Sequence, residues 1–145
     1  MYKHILIATD GSELAGKAVA AGLALAKELK SKVTAIHVTE PWTALVAGEM
    51  TLGFPYQDYD KGAAENAQRI LGAVGEAAKA AGVECATLHI PDRFPAEAIV
   101  DCAKDKGCDL IVMASHGRRG FTKLLLGSET VRVLTHTTVP VLVCR

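Results

Sequence analysis

CDLIVMASHGRRGFTKLLLGSETVRVLTHTTVPVLVCR, residues 108–145, holds the order strand, loop, helix, strand on which the fold class turns. Cys108 to Ala114 is apolar apart from Asp109, the composition of a parallel strand covered on both faces. Ser115, His116, Gly117, Arg118, Arg119 and Gly120 follow at once, and an open α/β sheet receives its ligands beyond the carboxyl ends of its strands. Gly127 and Ser128 open a helix in which Val131, Val133 and Leu134 are expected to pack inward. The first-turn N–H groups of such a helix lack helical acceptors and suit an anion. A last strand, Val139 to Cys144, is apolar on both faces, and Pro140 favours a sheet edge because it has no N–H to donate.

Working outward, Ile5 to Ala8 reads as a short buried strand that leaves through the turn Thr9, Asp10, Gly11, Ser12. A helix is expected over 13–30, with Leu14, Ala18, Ala21, Leu25 and Leu29 at helical spacing. Asp10 with Glu13 reads as a capping box, and Ser12 offers a second cap. Val33 to Val38 forms the second strand. Residues 41–60 then break the pattern and are long for an α/β connection, which suggests a lid or a short embedded helix. The next helix is expected from Lys61 to Ala81, burying Ala64, Ala67, Leu71, Val74 and Ala78, with Gly82 as its stop. Val83 to His89 alternates more than the first and fourth strands and suits an edge. Pro95 fits the first turn of a helix that runs to Lys106 and ends at Gly107.

The 145 residues suit one α/β domain, 1–145, able to bury roughly 70% of its extended surface. Sixteen basic residues balance 16 acidic ones, so the overall field gives no reason to expect nucleic acid or an acidic membrane as partner. Residues 115–145 nevertheless carry five basic side chains against Glu129 alone, which suits phosphate or a solvated basic face. Cys85, Cys102, Cys108 and Cys144 have no CxxC spacing and read as small buried hydrophobes, although two disulfides are also compatible with the sequence. The chain opens on the strand-like YKHILIA instead of a secretory leader, so a reduced compartment is expected. No apolar run reaches the ~20 residues of a membrane helix. His4, His37, His89, His116 and His136 lack metal-ligand spacing and read as structural or surface residues. Gly48 and Gly53 imitate a P-loop, but Phe54 and Pro55 follow where lysine and a hydroxyl residue are needed, and TDGS replaces a dinucleotide GxGxxG.

The loop and helix start resemble the nucleotide-binding branch of the universal stress protein family, whose pattern is a glycine, two residues, a glycine, nine residues, then glycine followed by serine or threonine. In this chain the pattern falls on Ala114, Gly117, Gly127 and Ser128, with alanine in place of the first glycine. One methyl group is tolerable there if φ is negative and the phosphate does not approach closely. The order of strands and helices matches over essentially the whole chain. The resemblance implies a Rossmann-like single domain with an open parallel five-stranded sheet in the order 3-2-1-4-5, which would bring Asp10 beside Gly117 and Ser128.

The resemblance further implies ATP, with Mg²⁺, at Ala8, Thr9, Asp10, Val38, Ala114, Gly117, Gly127, Ser128 and Thr130. Asp10 would serve the adenosine side, the Val38 main chain the adenine edge, and the N–H groups around Gly117, Gly127 and Ser128 the phosphates, helped by the Ser128 and Thr130 hydroxyls. It also implies a cytoplasmic stress-response regulator that forms a homodimer through the last strand near Val141, Leu142 and Val143, with at most weak ATP hydrolysis or phosphate transfer. The residues themselves leave other readings open. Asp10 and Ser128 also suit plain capping, Arg118 and Arg119 also suit solvent, and Trp42, Phe54, Tyr56 and Tyr59 suit either a ligand cover or surface packing. A nucleotide-independent dimeric adaptor with unidentified protein partners, and a small phosphotransfer enzyme using His116, are the alternative functions.

Overall fold

A computed structural model describes residues 1–44, 56–117 and 125–145. Its elements run β1 (His4–Ala8), α1 (Glu13–Leu29), β2 (Lys32–Val38), α2 (Tyr56–Ala81), β3 (Cys85–Ile90), α3 (Pro95–Lys106), β4 (Leu110–Ala114), α4 (Ser128–His136) and β5 (Val141–Cys144). The five strands pair in parallel in the order β3-β2-β1-β4-β5. The Rossmann-like order that the resemblance implies is therefore the one observed. The period of two along each strand sorts the core into two layers. Ile5, Ile7, Val33, Ala35, Leu110 and Val112 face α1 and α2, while Leu6, Ile36, Ile111 and Met113 face α3 and α4.

The elements expected from the sequence are present, but several faces and boundaries shift. In α1 the buried residues are Ala15, Ala18, Val19, Gly22, Leu23 and Ala26, whereas Ala21 is exposed and Leu14, Leu25 and Leu29 are only half-buried. The helix lies so close to the sheet that a Cβ on Gly22 would sit 2.6 Å from Ile7 Cδ1. Small side chains must therefore line the contact, and the leucines turn to its flanks. Helix α2 begins at Tyr56, five residues before Lys61 and inside the stretch read as irregular; it leaves Ala64 exposed and buries Ile70 instead. Strand β3 begins at Cys85, two residues later than expected, and occupies the predicted edge.

Helix α4 is the largest correction. Val133 is fully buried as expected, but Val131 and Leu134 are 47% and 42% exposed, and the inward partner of Val133 is Thr130. This nine-residue helix meets α3 and the sheet along one narrow line, and a line of spacing three accepts only Thr130 and Val133. The last strand is shorter than expected, Val141–Cys144; Pro140 precedes it, and its carbonyl accepts the Ile111 N–H at 2.9 Å.

Asp109, the polar interruption in the fourth strand segment, joins the starts of β1 and β4. Its carboxylate accepts the Lys3 N–H at 2.9 Å and the His4 N–H at 3.0 Å. Burial alone would raise its pKa, but these donors outweigh that and hold the carboxyl below its ordinary range. All four cysteines are free thiols, with Cys102 and Cys108 buried. Burial first, then the neighbouring Cys102 and Asp109, pushes the Cys108 thiol up to about 11. Among the described residues no helix is long and apolar enough to cross a membrane. Arg118, Arg119, Gly120, Lys123, the Gly48–Gly53 pair and Phe54 lie outside the described residues.

Candidate functional site

Strand β1 ends at Ala8, and Thr9 donates its N–H to the Ile36 carbonyl at 3.0 Å before the chain turns away from the sheet. Gly11 makes that turn at φ 81°, a conformation that a side chain would strain. Asp10 Oδ1 accepts the Ser12 N–H at 2.9 Å, and Ser12 Oγ in turn accepts the Ala15 N–H at 3.2 Å. Ser12 is therefore the N-cap of α1, and Asp10 shapes the turn before it in place of the capping box with Glu13. The second carboxylate oxygen faces the other half of the site: a Cβ added at Gly117 would lie 2.8 Å from Asp10 Oδ2.

That other half begins where β4 ends. Ala114 pairs with Cys144 inside the sheet, and the described non-glycine residues with positive φ are Lys30 and Asp92. The negative φ required for alanine at position 114 is thus present. Ser115 donates its N–H to the Cys144 carbonyl at 2.7 Å, and Gly127 donates its own to Ser115 O at 2.7 Å. The buried Thr130 hydroxyl lies 3.1 Å from Ala114 O and 2.9 Å from Ser115 O, so it anchors α4 to the end of β4. A Cβ on Gly127 would come within 3.0 Å of His116 Cα, which makes glycine the fitting residue at this close approach. Gly127 is also the N-cap of α4 and makes no side-chain cap, so the Ser128 hydroxyl does not serve as one.

Between the two halves opens a cavity of about 650 Å³, within the usual size for a small-molecule site. Ala8, Thr9 and Asp10 line it from the end of β1 and the turn after it, Val38 from β2, Ala114 and Gly117 from the end of β4 and the loop after it, and Gly127, Ser128 and Thr130 from the start of α4. Helix α2 adds a wall with Tyr59, Gly62, Ala63 and Asn66, and the Tyr59 hydroxyl donates to the Glu40 main-chain carbonyl at 2.6 Å. Burial, then Glu40 and Asp92, raise the Tyr59 pKa, so the phenol keeps its proton at neutral pH. Asp10, Glu40, Asp58 and Glu129 all reach the lining. Glu129 is engaged elsewhere as well: Oε2 accepts the Ala96 N–H at 2.8 Å, and Oε1 lies 3.1 Å from Arg132. Among the described residues no group of three or more His, Cys, Asp or Glu is arranged to hold a metal.

The whole chain, residues 1–145, matches the family model described as the universal stress protein family. The chain belongs to this family. It is 32% identical over 151 residues to universal stress protein YxiE of Bacillus subtilis, a match covering 100% of both chains. The solved structure of protein MJ0577 of Methanocaldococcus jannaschii superposes with a TM-score of 0.80 at 30% identity, covering 99% of this chain and 96% of that one. A universal stress protein solved in complex with cAMP shares the fold, with a TM-score of 0.74 at 24% identity, covering 99% and 97%.

In this universal stress protein all nine residues singled out in the sequence line one cavity. Their expected tasks divide differently, however. The Gly127 N–H and the Thr130 hydroxyl hold the chain together, which leaves Gly117 and the first-turn N–H groups of α4 as the donor candidates. His116 lines the cavity and shares a 3.1 Å hydrogen bond between its Nδ1 and Ser115 Oγ. The sequence reading offered Tyr59 as a ligand cover but did not assign Gly62, Ala63 or Asn66 to the site, and it read His37 as a strand-packing or hydrogen-bonding residue. His37 lines the cavity and donates from Nδ1 to the Thr9 carbonyl at 2.9 Å. Its place at the carboxyl end of β2, next to Val38, was the available signal.

Proposed function

We propose that this protein is a cytoplasmic stress-response regulator of the nucleotide-binding branch that takes ATP in the cavity between the ends of β1 and β4. The observation that carries the reading is the approach of Asp10 to Gly117, whose missing Cβ leaves room for the carboxylate. Two segments more than a hundred residues apart in sequence thereby form one concave surface. The cAMP complex of a protein with the same fold supports a nucleotide as the ligand class.

Asp10 would accept hydrogen bonds from the ribose hydroxyls, and the Val38 main chain would meet the base. The N–H groups of Ser128, Glu129 and Thr130 would meet phosphate at the positive end of α4. Four carboxylates on the lining oppose a triphosphate, so Mg²⁺ carried on the phosphate oxygens is part of the reading. Contact of the phosphates with Ser115 to Gly117 and with Gly127 and Ser128 is the proposed link from nucleotide to partner or conformation.

The homodimer through β5 belongs to the same proposal. Strand β5 is a sheet edge, and Leu142 on it is 39% exposed. Leu142→Lys is expected to convert a dimer to monomers in sedimentation velocity; an unchanged sedimentation coefficient would remove β5 from the interface.

The nucleotide reading is tested by calorimetric titration of the nucleotide-stripped protein with Mg²⁺ and ATP, beside Asp10→Asn and Gly117→Ala. The expected result is saturation near one ATP per chain in the parent and an affinity roughly tenfold weaker in each variant. No heat from a folded parent at millimolar ATP would turn the function toward the nucleotide-independent adaptor. Turnover lost only in His116→Ala, with affinity kept, would favour the phosphotransfer enzyme.

A further inference from the structure

The parallel ladder between β1 and β2 follows a fixed register, His4 opposite Lys32 and Ala8 opposite Ile36. Its rungs include Lys32 N–H to Lys3 O at 3.1 Å and, at the far end, Thr9 N–H to Ile36 O at 3.0 Å. Continued by one step, the same register would send the Val38 N–H to the Thr9 carbonyl. Among the described main-chain bonds the ladder stops before that rung, and His37 Nδ1 donates to the Thr9 carbonyl instead.

We propose that His37 is a positioning residue of the nucleotide site: its ring replaces the last β1–β2 rung, so that it holds the Thr9–Asp10 peptide and leaves the Val38 N–H to the base. The second half of this inference rests on the nucleotide reading above; the first does not.

The surroundings fit a ring with one orientation. A carbonyl can only accept, so Nδ1 is the donor and the ring orientation is set. His37 is 7% exposed, and His89 stacks on it with ring centroids 5.9 Å apart and planes at 26°. His89 is held in turn, sharing a 2.7 Å hydrogen bond between Nε2 and Thr39 Oγ1. Burial, then the neighbouring His37, lowers the His89 pKa and favours a neutral stacking partner. The result is a side chain that ends the β1–β2 ladder at a chosen rung. A freed main-chain N–H there suits adenine, whose N1 accepts, and opposes guanine, whose N1 carries a proton.

The test compares His37→Leu with His37→Asn, because the asparagine Nδ2 can replace the Nδ1 donor while leucine fills similar space without one. Amide hydrogen exchange is read on the ligand-free proteins by NMR, and Mg²⁺-ATP and Mg²⁺-GTP are titrated into each. In His37→Leu the Val38 N–H should close the vacated rung and exchange roughly tenfold more slowly. The ATP to GTP affinity ratio should fall toward one in this variant. His37→Asn should stay near the parent in both readouts.

Unchanged Val38 exchange in a folded His37→Leu, or identical behaviour of the two variants, would overturn the proposal. If the leucine variant does not fold, the asparagine variant decides: parent-like Val38 exchange upholds the role of the donor, and new protection there overturns it. If the parent binds no ATP while Val38 exchange responds as expected, the nucleotide reading falls and the ladder role of His37 stands.

Discussion

Beyond Thr9, which Ile36 and His37 tie to β2, the turn from β1 into α1 is held by its own side chains, whereas the passage from β4 into α4 is closed by Cys144, Gly127 and Thr130. In the first, Asp10 accepts from Ser12 and Ser12 accepts from Ala15, all within six residues. In the second, Ser115 is tied to Cys144, and Gly127 and Thr130 return to the carbonyls at the end of β4. Both deliver groups to one cavity. A local turn keeps its shape while the rest of the fold loosens, but a turn closed at long range exists only when the sheet and α4 are assembled. The β4–α4 side is accordingly the half through which occupancy can be felt by the fold.

The contrast is most exposed at Thr130. Thr130→Val keeps the volume of a buried side chain but removes the hydroxyl from two carbonyls, and a loss of about 1–3 kcal/mol is expected in urea unfolding. A loss below about 0.5 kcal/mol would mean that α4 is anchored otherwise and the contrast fails.

At the other end of the same two strands, Asp109→Asn is expected to cost about 1 kcal/mol at neutral pH. The sign with pH follows from the depressed carboxyl. Its contribution is fully present above the unfolded-state pKa and is lost as pH falls through the lower folded-state value. Urea midpoints between pH 7 and pH 3 should therefore fall less steeply in the variant; parallel curves would remove Asp109 from the acid response.

Ser12→Ala should also cost about 1 kcal/mol, through the lost cap on α1. A local turn predicts that hydrogen exchange then rises in the first turn of α1 and stays unchanged at α4. Spread of the effect to α4 would show that the two halves are coupled through the fold. The smallest change is a control outside both regions: Gly72→Ala on α2, where an added Cβ meets nothing within 4 Å, should raise stability by roughly 0.5 kcal/mol. It should leave ATP affinity at the parent value.

The same division explains what could be read from the sequence. Strand periodicity, Pro95 at a helix start, and Gly82 and Gly107 at positive φ are local signals, and each was legible. So was the TDGS turn. The α1 face was misread because the close approach of Gly22 to Ile7 is a property of packing, and helical spacing cannot tell an alanine face from a leucine one. Val131 and Leu134 were assigned inward on hydrophobicity alone, while the buried hydroxyl of Thr130 found its acceptors on β4, where no helical period points. The site list came from the family resemblance and its members share one cavity; the division of labour within it depended on which donors the fold had already engaged.

The most direct measurement is an NMR titration of the ligand-free protein with Mg²⁺ and ATP, following the backbone amides of both halves together. One cavity built from both strand ends predicts that Gly11 and Ser12 on one side, and Gly117, Ser128 and Glu129 on the other, shift along a single saturation curve near one ATP per chain. Shifts confined to one half, or curves with different midpoints, would contradict a shared nucleotide site between β1 and β4.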